Sequence, residues 1–378
     1  MSTKYILFLS TTPIWGGSEV LWTQSARELL AKGYKIKAGL RYPFEIVKSY
    51  LNEENYIDFS KQIQPPNTIS RVIQKLKLTK FRPRNLLHDE FKKKKPDLTI
   101  ISQGNNIESI HLMKDCVKYN VPFITISHLV TPDFWPGLND EWINEIIELY
   151  RVSKCNYFVS RNSMSLHDKM LGSKLNNSAV LYNPFIKTIP PDFKYPNYKG
   201  TVFKVALVGR IECFHKGYDL LIDVLKKDKW KNRPIHFSLF GHGPHVELLN
   251  RLIVQNNIVN MTIHSHIDDI AKIWQDHQIL LMPSRMEGQS LSLIEAMKFS
   301  RSAIVTNVGG TAELIEDGIN GFIAAYPSPE SIDDALERAW EKRDEWEQFG
   351  INAARSIAEK HPADALSFFN DKVEALLA

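Results

Sequence analysis

The chain has 378 residues, 43% of them apolar and 24% charged, with a formal net charge of +4. That length exceeds what one hydrophobic core organises, so two domains of a water-soluble globular protein are expected, and the mild positive balance gives no reason to expect a nucleic-acid partner. Cys116, Cys155 and Cys213 fall at neither metal-ligand nor disulfide spacing, and the apolar run Tyr5–Leu9 is too short for a leader or a membrane span, which predicts a cytoplasmic location.

Tyr5–Leu9 reads as a buried strand that stops at Ser10-Thr11-Thr12-Pro13. After Trp15-Gly16-Gly17-Ser18, apolar Trp22, Ala26, Leu29 and Leu30 recur at helical spacing up to Gly33, predicting a capped helix over residues 19–32. Strand, glycine turn and helix open a Rossmann-type unit, where Gly16 and Gly17 let a backbone approach a ligand and Ser18 caps the helix. A tight turn that binds nothing fits the same residues. Further β-branched or aromatic runs at 34–40, 97–102, 121–127, 157–160 and 179–182 alternate with helical stretches, which predicts a parallel, doubly wound sheet.

Residues 71–95 interleave Arg71, Lys75, Lys77, Lys80, Arg82, Arg84 and Lys92 to Lys95 with apolar side chains, against only Asp89 and Glu90. The stretch reads either as a basic amphipathic surface for an anionic membrane or a polyanionic acceptor, or as a solvated helical insertion. The membrane reading would place the protein on the inner face of the membrane.

Ligands bind outside the carboxyl ends of strands in open α/β sheets. Here those ends are Gln103-Gly104-Asn105-Asn106 and Ser127-His128, so His128 is placed either to donate to a ligand hydroxyl or phosphate or to cap its strand. Phe134 and Trp135 offer a stacking face for a sugar, or plug their loop onto the sheet. Prolines at 184, 190, 191 and 196 break the periodicity, which sets a boundary between residues 1–185 and 186–362. A last helix over about 363–378 is expected to pack back onto the first domain.

In the second half the alternation resumes, with strands at 202–209, 234–240, 261–264 and 279–282 and helices at 216–225, 243–256 and 267–275. Gly209-Arg210 and Lys216-Gly217 put two cations at a strand-to-helix turn, where they either stabilise a diphosphate or are plain surface residues. Gly241-His242-Gly243 lacks the third glycine of a dinucleotide fingerprint, since Val246 stands there, so a dehydrogenase is not expected.

The stretch Pro283–Lys298 reads as a turn running into a helix that begins near Gln289 or Ser290. Its first N–H groups have no intrahelical partners and attract anions, phosphate above all. Glu287 in the turn and Glu295 about two helical turns further on are suited to accept hydrogen bonds from hydroxyls attached to that anion. A capping acid and a solvated helix residue are the plainer alternatives. Gly309 and Gly310 again allow a close backbone approach at a helix start.

Taken together, Gly209-Arg210 with Lys216-Gly217, Gly241-x-Gly-Pro244, Pro283-Ser284 with Glu287-Gly288 and Glu295-Ala296, Gly309-Gly310-x-x-Glu313 and Asp317-Gly318-x-Asn320-Gly321 resemble the retaining glycosyltransferases of family 4. Gly16-Gly17-Ser18-Glu19 is similar to that family's amino-terminal glycine loop. The resemblance implies the GT-B class of α/β fold, with two Rossmann-like doubly wound domains facing a cleft. It implies that Arg210 and Lys216, on the Gly209 turn, grip the diphosphate of a nucleotide-sugar, UDP- or GDP-linked, and that Glu295 accepts from the ribose. Glu287 and the amides of Gly288, Gln289, Ser290 and Leu291 would hold the transferred sugar and distal phosphate. His128 would face the sugar, and Gly16 and Gly17 would line the diphosphate and acceptor side. The implied reaction is hexosyl transfer, with retention, to a hydroxyl of a glycan, lipid or small molecule, without cofactor or metal. A non-catalytic nucleotide-sugar-binding protein and an epimerase on the same fold are the alternatives. Two departures stand out: Arg210 and Lys216 lie one residue further apart than the family pattern, and Ser265 replaces a common glycine.

Overall fold

Every residue of β1 (Tyr5–Ser10) is buried, as an apolar run sandwiched between helices on both faces of a sheet must be. The computed structural model describes residues 3–12, 16–40, 45–52, 55–58, 86–185, 187–196, 202–362 and 364–378. Most of the basic stretch, residues 71–85, lies outside them; its end forms the helix Leu86–Lys93. Two compact units emerge, one of residues 1–159, 163–184 and 365–378, the other of residues 160–162 and 185–364.

In the first unit β1, β2 (Lys35–Leu40), β3 (Tyr56–Asp58), β4 (Leu98–Asn105), β5 (Phe123–Leu129), β6 (Asn156–Phe158) and β7 (Ser178–Val180) form a seven-stranded sheet in the order β3-β2-β1-β4-β5-β6-β7. All its pairings are parallel. The period of two sends Tyr5, Leu7 and Leu9 into one core and Ile6 and Phe8 into the other. Each large side chain so buried contributes about 1.5–3 kcal/mol.

Helix α1 (Gly17–Ala31) follows β1, with Gly16 as an extended N-cap that offers no side-chain bond. Ser18, expected to be the cap, therefore lies inside the first turn: the glycine pair lets the helix start earlier than the apolar period indicates. The last helix of the chain, Ala365–Leu377, sets Leu366, Phe369, Val373 and Leu377 into the same core as Ile6 and Phe8. Its buried Asn370 is bound on α1, where the Ser25 hydroxyl donates to it and it donates to Glu28.

The second unit has a six-stranded parallel sheet in the order β10-β9-β8-β11-β12-β13. Its strands are β8 (Phe203–Val208), β9 (Ile235–Phe240), β10 (Met261–His264), β11 (Ile279–Met282), β12 (Ser302–Thr306) and β13 (Gly321–Ala324). Phe203, Val205 and Leu207 face one core, Ala206, Leu280 and Met282 the other. The helix expected over 216–225 is two helices, α2 (Cys213–Lys216) and α3 (Tyr218–Leu225), separated by Gly217 in the left-handed region at φ 65°. After β11 comes α4 (Leu291–Lys298). Among the described residues no helix is long and apolar enough to cross a membrane.

Candidate functional site

Four residues are too few for a helix to hold itself, so α2 depends on what surrounds it. The Glu212 carboxylate caps its start, accepting from the Phe214 and His215 amides at 3.0 and 2.8 Å. The Cys213 amide donates to His245 Nδ1 at 2.9 Å. At the other end a Cβ on Gly217 would lie 1.9 Å from the Pro283 carbonyl oxygen, so only glycine lets α2 press against the turn after β11.

That closeness brings Lys216 to Glu287. The Lys216 ammonium lies 2.7 Å from Glu287 Oε1, and the Ser284 hydroxyl donates to the same oxygen at 2.8 Å. Glu287 is buried, so its charge is held by two donors in a poorly hydrated place, where charge-assisted bonds are strong. The turn is also gripped from behind. A Cβ on Gly309, at φ 54°, would lie 1.7 Å from the Glu287 carbonyl oxygen, and the Gly310 amide donates to the Gly288 carbonyl at 2.7 Å.

The turn ends at Ser290, the N-cap of α4, whose side chain makes no capping bond and instead pairs with the Ser292 hydroxyl at 2.9 Å. Ser290 therefore caps none of the first amides of α4, and the Lys216 side chain and Ser292 line one small pocket at that end. Gln289 and Ser290 are buried in the turn. Glu295, on α4, is half-buried; burial pushes its carboxyl up to about 7 although the Lys187 ammonium pulls the other way.

Arg210 is not drawn to Glu287. Its guanidinium lies 3.4 Å from His215 Nδ1 and 3.9 Å from Glu212. Gly209 underlies the Lys216 stem, since a Cβ there would sit 3.7 Å from Lys216 Cε. Gly241 serves packing: a Cβ on it would meet the Gly209 carbonyl oxygen at 1.9 Å. A groove of about 350 Å³ beside β9 and β10 is lined by His236, His264, Lys272 and His277 and by none of the nominated residues.

In the first unit, a Cβ on Gly16 would meet no atom of the described residues within 4 Å. Beneath it lies the fully buried Glu19, whose carboxylate accepts from Trp22 Nε1 at 2.7 Å and from the Ser10 hydroxyl at 3.0 Å. Burial lifts that carboxyl to about 7 against the pull of its hydrogen bonds. His128 is buried near the end of β5, its Nε2 3.0 Å from the Ser102 hydroxyl and its Nδ1 without a partner among the described residues. Burial lowers it to about 3, so it is a neutral ring at physiological pH. Gln103, read as a strand-end ligand group, is instead buried and ties Ser127 to Tyr150, at 2.8 Å each. Trp135 is exposed, in the 3₁₀ turn Pro132–Gly137.

Two residues of the second-unit site, Asp219 and Arg285, escaped the reading of the chain, and Ser284 entered it only as part of a motif, without a role. Ser284, three positions before Glu287, carried a signal in that spacing. Asp219 and Arg285, which pair at 2.6 Å, carried none.

Residues 202–342 match the family described as Glycosyl transferases group 1. The uncharacterized glycosyltransferase MJ1178 of Methanocaldococcus jannaschii is 29% identical over 163 residues, 43% of this chain and 43% of that protein. The poly(ribitol-phosphate) alpha-N-acetylglucosaminyltransferase of Staphylococcus aureus is 24% identical over 183 residues, 48% of this chain and 36% of its own. The chain therefore spans less than half the length of either curated relative. Among solved structures, HepE of Anabaena in complex with UDP has a TM-score of 0.72 at 17% identity, covering 98% of this chain and 99% of that one. The two parallel sheets share the fold of solved GT-B glycosyltransferases, and residues 202–342 are similar to the group 1 glycosyltransferase family.

Proposed function

We propose that this protein is a glycosyltransferase of the retaining family 4 type, which moves a hexosyl group from a UDP- or GDP-linked sugar to a hydroxyl of a glycan, lipid or small molecule. The observation that carries the reading is the Lys216–Glu287 pair at 2.7 Å, held beside the uncapped start of α4. UDP comes first because HepE, of like fold, was solved with UDP.

On donor binding the Lys216 ammonium exchanges Glu287 for a phosphate oxygen. Arg210 reaches the diphosphate from the same strand-to-helix turn, and the amides from Gly288 to Leu291 donate to the distal phosphate. Glu287, still held by Ser284, then accepts from a hydroxyl of the transferred sugar, and Glu295 from the ribose. The family resemblance assigns neutral His128 to the sugar and Gly16 and Gly17 to the diphosphate and acceptor side. The bond from the anomeric carbon to the diphosphate breaks while the acceptor oxygen bonds that carbon on the same face. The acceptor proton passes to the departing phosphate oxygen, so the nucleoside diphosphate leaves carrying it. Fixed cations stabilise the growing negative charge of that leaving group, so no metal or cofactor is assigned. Glu287 positions the sugar and does not attack it.

A thermal-shift series with UDP, GDP and ADP and their glucose conjugates tests this reading. One of them should raise the melting temperature of the wild type and leave Lys216→Met unmoved, since a ligand of the folded state stabilises it. No shift with any of them would remove the assignment. With a panel of hydroxyl acceptors, NMR of the product should show the donor's anomeric configuration; an inverted product would exclude family 4 chemistry.

A further inference from the structure

The helix that carries Lys216 ends in carbonyl groups with no partners inside its single turn. Residues on the facing turn reach those of Cys213, Phe214 and His215, and the Cys213 carbonyl also accepts from the Gly217 amide at 2.8 Å. Arg285 Nη1 donates to the Cys213 carbonyl at 3.1 Å and to the Phe214 carbonyl at 3.4 Å. The backbone amides of Arg285 and Met286 donate to the His215 carbonyl at 2.7 and 3.2 Å. The same guanidinium grips Asp219 in the first turn of α3 with both arms, Nη1 to Oδ1 at 2.7 Å and Nη2 to Oδ2 at 2.6 Å. One planar group thus joins the end of α2, the start of α3 and the turn that bears Glu287.

We propose that Arg285 is a positioning residue that sets where the Lys216 ammonium stands relative to the Glu287 turn and the start of α4. This rests on the reading of Lys216 as a diphosphate-binding cation. A cation at the carbonyl end of a helix is in favourable sign with its dipole, and the fork shape lets one side chain serve carbonyls and a carboxylate together. Lysine has the charge without the fork. Arg285 and Asp219 are partly exposed, with side-chain accessibilities of 24% and 39%, so the pair adds little to global stability. Its loss should therefore loosen the direction of Lys216 while the fold persists.

The test is calorimetric titration of the full chain with UDP. Arg285→Ala should bind UDP about tenfold more weakly with its melting temperature nearly unchanged, and Arg285→Lys should lose most of that factor too. Asp219→Asn, which frees one side of the fork without touching Arg285, should weaken binding in the same direction. Because the effect runs through Lys216, adding Arg285→Ala to Lys216→Met should weaken UDP no further. Wild-type affinity in Arg285→Ala, or an undiminished tenfold loss in the Lys216→Met background, would overturn the proposal while leaving the glycosyltransferase reading in place. Should Arg285→Ala fail to fold, the same cycle with Arg285→Lys decides. A wild type that binds none of UDP, GDP and ADP would overturn both.

Discussion

Glu19→Gln probes the carboxyl beneath the glycine turn of the first unit. Burial raises that group from 4.5 to about 7, so between those pH values the folded chain keeps a proton that the unfolded chain has released. Stability must then fall as pH rises through this window and level off above it, the reverse of a salt-bridged carboxylate. The gap corresponds to about 3 kcal/mol. Glutamine is nearly isosteric: its amide oxygen can accept from Trp22 Nε1 and its amide nitrogen can donate to the Ser10 hydroxyl, two of the partners Glu19 now has. It does not titrate, so the difference between variant and wild type isolates this one group. Native-state hydrogen exchange of the β1 amides, referenced to intrinsic rates at each pH, reads the first unit by itself. From pH 4.5 to 8 the variant should gain about 3 kcal/mol on the wild type. Parallel stability curves across that range would show that Glu19 is not held as a protonated acid and would refute the reasoning.

Other perturbations test the packing around both sites. Gly309→Ala places a Cβ 1.7 Å from the Glu287 carbonyl oxygen at a φ of 54°, so the turn must move; UDP affinity should fall at least about tenfold, and titration with UDP checks it. Arg301 is fully buried and donates to the carbonyls of Trp274, His277 and Phe299, so Arg301→Met leaves those groups without their donor and should cost about 3 kcal/mol in urea unfolding. Phe369→Ala removes a buried ring that meets Tyr157 edge-on at 5.8 Å. It should destabilise the first unit by about 3–5 kcal/mol, read as faster exchange of the β1 amides.

The fold class was legible because it rests on local rules. Continuous apolar runs such as Tyr5–Leu9 and Ile279–Met282 require cover on both faces of a sheet, and their alternation with helical periods makes the sheets parallel. The start of α4 near Ser290 was legible in the same way, since polar turn residues directly precede an apolar helical period. The break at Gly217 was not, because the helical period runs across it; the Pro283 carbonyl, in the turn after β11, presses against it and admits only glycine there. Nor was the environment of the acids. Glu287 and Glu295 are the same residue type on one short segment, yet one is held by Lys216 and Ser284 while the other is raised by burial.

The amino-acid order alone determined the alternating elements and the polar turn before α4, because neighbours a few residues apart set periodicity, capping and backbone freedom. Only the tertiary structure decided that Arg210 leans on His215 and Glu212, that Lys216 meets Glu287, and that Arg285 joins Asp219 to the end of α2. A long charged side chain can reach any of several groups. Which one it meets depends on how distant strands and helices pack, and chain spacing carries no record of that.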